Sequence, residues 1–174
     1  MKQQSEDNTA INKLTAILFI IYLIALFWIL VLKLCVHFTY MSERKASLIP
    51  FHNSAVFNSE NILNAVIFIP LGIYASVLFE KWNFDKKFLL FFSLSFLVEA
   101  LQYSLQLGAF DVTDIITNVS GGVIGLLIFG VIKKAFRNSI KAQKFINKIA
   151  ATGTAILIVL LVLLKMNMLP VRYQ

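Results

Sequence analysis

From Leu14 to Val36 the chain runs through a membrane's thickness of apolar residues carrying one charge, Lys33, near the far end. About twenty such residues, rising 1.5 Å each, cross the roughly 30 Å hydrocarbon layer of a bilayer. No small-x-small cleavage pattern follows, so the run reads as a retained helix and not as a signal peptide. In hydrocarbon every backbone polar group must be bonded internally, and runs of this length meet that demand only as helices. Four further runs follow at about 61–79, 88–107, 114–132 and 149–169. The expectation is therefore an all-α fold, an integral membrane bundle of five transmembrane helices. It forms a single transmembrane domain over 14–169, after a polar tail at 1–13, disordered or interfacial, and before a short tail at 170–174. Composition agrees: 59% of residues are apolar and only 14% charged, which excludes an ordinary soluble globule.

The net charge of +7 sorts by loop. With the N-terminus inside, Lys2, Lys13, Lys81, Lys86, Lys87 and six residues of 133–148 face the cytoplasm. Lys33, Arg44, Lys45, Lys165 and Arg172 face outward. That is eleven basic residues of 16 against five, which favours an inside N-terminus and an outside C-terminus. Lys133, Lys134, Arg137, Lys141, Lys144 and Lys148 fall within an arc of roughly 100° at helical pitch. They are expected to lie on anionic inner-leaflet lipids. No nucleic-acid role is expected.

Polar residues inside such a chain are costly and therefore informative. Glu99, Gln102 and Gln106 are spaced i, i+3, i+7, which places them on one helical face. Asp111, Asp114 and Asn118 repeat that spacing on the next helix, with Asp111 as its cap and Gly108 as a left-handed terminator of the helix before. Asn61 and Asn64 share a face at the start of the second run, where Asn58 or Ser59 caps the helix. Pro70 and Gly72 follow, and Pro70 should kink the helix. Gly121 and Gly125 form a G-x-x-x-G that, with Gly122, lets another backbone come close. In the inside-N orientation Glu99, Gln102, Asp111, Asp114, Asn118, Asn61 and Asn64 converge in the outer leaflet. They are the candidate polar pocket, with Asn64, Gln102 and Asn118 as partners for Glu99.

The sequence holds one cysteine, Cys35, and two histidines, too few for a metal site, and no metal is expected. There is no G-x-S-x-G, no paired-His motif and no phosphate-binding Gly loop, so no cofactor is expected either.

The chain resembles the VanZ family of bacterial membrane proteins. The resemblance is carried by Leu48-Ile49-Pro50-Phe51, by Asn61 and Asn64 with Phe68-Ile69-Pro70-Leu71-Gly72, and by Glu99 with Gln102. Gly108 to Asn118, then Gly121, Gly122 and Gly125, complete it, over about 44–130. Where many members have an Arg shortly before Asp-x-x-Asp, this chain has Gly108, Ala109 and Phe110. The resemblance implies location in the bacterial cell membrane and low-level resistance to teicoplanin, a lipoglycopeptide acting on cell-wall precursors outside the membrane. Three mechanisms fit the residues. One is engagement of an amphiphile or lipid-linked cell-wall precursor, another is an intramembrane carboxylate enzyme, and the third is a small transporter or flippase component.

Overall fold

The structure, a computed structural model, describes residues 2–31, 43–52 and 58–165. Lys33, Cys35 and His37, the last five residues of the first apolar run, the end of the fifth and the tail at 170–174 lie outside the described residues.

Five helices follow one another: α1 (Lys2–Val31), α2 (Ser59–Leu78), α3 (Phe84–Ser104), α4 (Val112–Phe136) and α5 (Ser139–Lys165). Two short strands, β1 (Ala46–Ser47) and β2 (Phe110–Asp111), pair in parallel with Ala46 opposite Phe110 and Ser47 opposite Asp111. The sequence pattern had pointed to helices alone. Thr9–Val31, Ser59–Leu78 and Val112–Phe136 are long and apolar enough to cross a membrane. The outward apolar side chains, Ile20, Ile24, Val66, Leu89, Leu127 and Val131 among them, would be anomalous on a soluble protein and suit contact with lipid.

Local chemistry sets the helix ends. Asn58 caps α2, accepting from the Asn61 N–H at 2.7 Å, and Asn83 caps α3 through the Lys86 N–H at 3.2 Å. Asp111 caps α4, as its position implied, with the Thr113 N–H at 2.7 Å. The C-terminus of α3 differs from expectation. Gly108 is not left-handed; Gln106 is, at φ 58°. The Gln106 N–H reaches Tyr103 O, and the Leu107 N–H folds back to Gln102 O at 2.9 Å. Those two bonds form a Schellman turn, and they require the left-handed residue at position 106, two places before the glycine. Gln106 thus lies past the end of α3 and does not extend the face of Glu99 and Gln102.

The basic segment is corrected as well. α4 ends at a left-handed Arg137, φ 50°, and α5 starts at Ser139, so 133–148 is not one helical stripe. Lys133 and Lys134 complement the C-terminal dipole of α4. Lys141, Lys144 and Lys148 line an exposed face of α5.

The core sits where α2 and α4 cross. A Cβ on Gly72 would overlap the Gly122 carbonyl oxygen; one on Gly121 would overlap Ala65 O, and one on Gly125, Ile69 O. Side chains are excluded there and the two backbones touch, as the G-x-x-x-G spacing led one to expect. Phe91, fully buried, fills the space below Gly122, with Phe68 and Leu71 beside it. α2 continues through Pro70, and the Tyr22 hydroxyl of α1 donates to Ile67 O at 2.9 Å. Residues 2–13, expected as an irregular or interfacial tail, are helical, because α1 is gripped near its start by α5, as described below.

Candidate functional site

Helix direction alternates, so the C-terminal ends of α1 and α3 meet the N-terminal ends of α2 and α4. Every candidate polar residue lies at this end of the bundle. Glu99, 2% exposed, accepts the Asp111 backbone N–H on Oε2 at 3.0 Å, at the junction of β2 and α4. A carboxylate bonded to an amide at a strand–helix junction fixes that junction and offsets part of the cost of its own burial. Asp111 in turn holds the first turn of α4 through its cap. One residue thus ties α3 to β2 by its backbone and β2 to α4 by its side chain.

Gln102, also buried, donates to Leu30 O of α1 at 2.8 Å. Asn64 Nδ2 of α2 donates to Asp114 Oδ1 of α4 at 2.8 Å. Asn118, 1% exposed, donates to Ser95 Oγ of α3 at 3.0 Å, and its Oδ1 has no partner among the described residues. Asn61 is buried in the first turn of α2. Of the residues expected around Glu99, Asn64 bonds Asp114, Gln102 bonds the Leu30 carbonyl of α1 and Asn118 bonds Ser95.

Over this end lies the segment carrying β1. The Phe110 N–H donates to Lys45 O at 3.0 Å, and the Phe51 N–H donates to Thr113 Oγ1 at 3.1 Å. Arg44 sits 5.8 Å above the Tyr103 ring. Glu99, Gln102 and Asn118 form a buried inner row, while Asp111, Asp114 and Asn64 are half-buried and form a rim. Ser95, Thr113 and the Leu30 carbonyl complete the cluster. Sequence reading missed them because a lone Ser or Thr and a backbone oxygen carry no pattern.

A second polar network joins α1 to α5 at the opposite end, and no sequence reading found it. Gln143 Nε2 donates to Asn12 Oδ1 at 2.9 Å and to Thr15 Oγ1 at 2.7 Å; the Thr15 hydroxyl lies 3.0 Å from Asn147 Oδ1. Thr15, Gln143 and Asn147 are all buried. The available signal was Gln143 and Asn147 at i, i+4, on the face away from Lys141, Lys144 and Lys148.

Among the described residues no cluster of His, Cys, Asp and Glu could hold a metal ion.

Comparison with known proteins follows the same residues. A family model described as VanZ/LLP1 matches residues 19–133, from α1 through α4. The chain is 35% identical over 146 residues to "Protein VanZ" of Enterococcus faecium, covering 82% of this chain and 87% of that protein. No solved structure matches it.

Proposed function

Since the chain belongs to the VanZ/LLP1 family, we propose that it is a five-span protein of the bacterial cell membrane that lowers susceptibility to teicoplanin. It does so by engaging an amphiphile, either the lipoglycopeptide or a lipid-linked cell-wall precursor, at the Glu99 end of the bundle in the outer leaflet. One observation carries the reading. Polar side chains of α2, α3 and α4 gather at one end, with Glu99 buried and bonded to the Asp111 amide behind a half-buried rim of Asp111, Asp114 and Asn64. Carboxylates within apolar surroundings are expensive, and a rim of fixed acceptors suits the hydroxyl and amide donors of a glycopeptide or a sugar-bearing lipid.

The orientation follows from charge. Among the described residues the Glu99 end carries Arg44, Lys45 and Lys165 at the end of α5, while the far end carries Lys2, Lys13, Lys81, Lys86, Lys87, the basic residues of 133–137 and Lys141, Lys144 and Lys148 of α5. That excess supports a cytoplasmic far end and N-terminus. The exposed Lys141, Lys144 and Lys148 then meet anionic inner-leaflet headgroups.

The carboxylates are acceptors for amide hydrogens: Glu99 for Asp111, Asp111 for Thr113, and Asp114 for Asn64. Fixed acceptors favour orienting a ligand over moving protons, and binding is preferred to chemistry on that ground. Titration of purified protein with labelled teicoplanin and with labelled lipid-linked precursor tests this. Saturable binding of one of them, lost in Glu99→Ala that still purifies as a folded protein, is expected. Equal binding by wild type and Glu99→Ala would refute the assignment.

A further inference from the structure

At the end away from Glu99, a cavity of about 500 Å³ opens between the start of α1, the α2–α3 turn and the start of α5. Such a volume accommodates a headgroup-sized ligand. Its lining is rich in hydrogen-bond donors. Lys81 contributes an ammonium that makes no ion pair among the described residues. Asn12 has its Oδ1 occupied by Gln143, which leaves its amide hydrogens uncommitted. Trp82, its ring 4.4 Å from that of Phe79, brings an indole N–H. Ser139 and Ile140 open α5, and their backbone N–H groups have no acceptor within that helix, while the Asn138 side chain is spent on Lys141. Glu80 is the one carboxylate on the wall, and Lys133 holds it at 2.6 Å. Its carboxyl lies below the usual range chiefly because of that hydrogen bond. The cavity therefore has several donors, a free cation and a neutralised acid.

We propose that this cavity binds a phosphate group, carried by an anionic phospholipid or free in solution. Lys81 supplies the charge, and Asn12, Trp82 and the opening amides of α5 supply directional donors. Asn12 and Gln143 on its wall belong to the network that joins α1 to α5, so an occupant braces that contact. The inference concerns residues apart from the Glu99 end and stands whether or not that end binds an amphiphile.

The test uses the full chain in nanodiscs of phosphatidylcholine with a minor fraction of phosphatidylglycerol, with retained lipid read by native mass spectrometry. In parallel, inorganic phosphate is titrated against the fluorescence of Trp82 in a Trp28→Phe background. Preferential retention of phosphatidylglycerol is expected, reduced about tenfold by Lys81→Ala, the loss of one charge-assisted bond. Retention should rise in Glu80→Gln and stay unchanged in Lys86→Ala, whose cation does not line the cavity. Saturation by phosphate alone, with the same response to Lys81→Ala, would assign the site to the free anion. Equal losses in Lys81→Ala and Lys86→Ala would show a diffuse basic surface and overturn the proposal, as would saturation by neither probe.

Discussion

The two ends of the bundle solve one problem, polar groups among apolar helices, in different ways. At the Glu99 end, besides the side-chain pairs Asn64–Asp114 and Asn118–Ser95, side chains reach for backbone: Glu99 takes the Asp111 amide, Gln102 donates to Leu30 O and Thr113 takes the Phe51 amide. At the Thr15 end, side chains mostly reach for one another, through Asn12, Thr15, Gln143 and Asn147. The first pattern fixes irregular backbone, a strand pair and a helix start, and leaves two aspartates on a half-buried rim. The second pattern locks two regular helices together and contains no charge. Irregular backbone in a membrane bundle is tolerated only where protein or a polar cavity surrounds it, which suits the binding proposed for the Glu99 end, whereas an uncharged amide network suits holding two helices together.

The largest effect should come from breaking the seam that joins both ends. Gly72→Val forces a side chain into the Gly122 carbonyl, and no rotamer avoids backbone. A loss of about 3 kcal/mol or more is expected, seen as loss of monodisperse protein in detergent. Gly130→Ala and Gly153→Ala, which meet nothing within 4 Å, should stabilise slightly or not at all in the same assay.

Next comes the Glu99 end. Glu99→Ala leaves the Asp111 N–H without its acceptor, a cost of about 1–3 kcal/mol in thermal unfolding. Glu99→Gln keeps an oxygen in reach and should recover most of that loss. A smaller change is expected at the other end. Thr15→Val should cost about 1 kcal/mol, and adding Gln143→Leu should cost less than the two single losses together, since both act on one network.

The smallest effect belongs to the exposed Lys133–Glu80 pair. Lys133→Ala should lower the unfolding temperature barely measurably. Because Lys133 holds the Glu80 carboxyl below its ordinary value, the difference from wild type should be present at neutral pH and vanish as pH falls through the carboxylate range. A difference that grows toward acid would contradict the pairing.

What the sequence made legible was local. The cap at Asp111, the glycine seam and the polar spacing of α4 depend on residues within two helical turns, and all appear as read. The all-helical character likewise follows from run length. What it hid was set across the chain. Thr15 finds Gln143 128 residues away, and Lys45 finds Phe110 through two-residue strands too short to leave an alternating pattern. The left-handed positions were misjudged for a related reason. Gly108 is the better residue by intrinsic preference, but the turn needs that conformation where the chain folds back onto Gln102, and Gln106 occupies that place. Arg137 breaks the basic segment in the same way, with neither Gly nor Pro to announce it.

That the Glu99 end carries the drug-related function is tested most directly by teicoplanin susceptibility, with vancomycin as the unacylated comparison. The chain is expressed as Glu99→Ala, Glu99→Gln and Gln143→Leu at matched membrane levels. Teicoplanin protection should be abolished in Glu99→Ala, retained in large part in Glu99→Gln and intact in Gln143→Leu. Protection that survives Glu99→Ala, or that falls equally in Gln143→Leu, would contradict it.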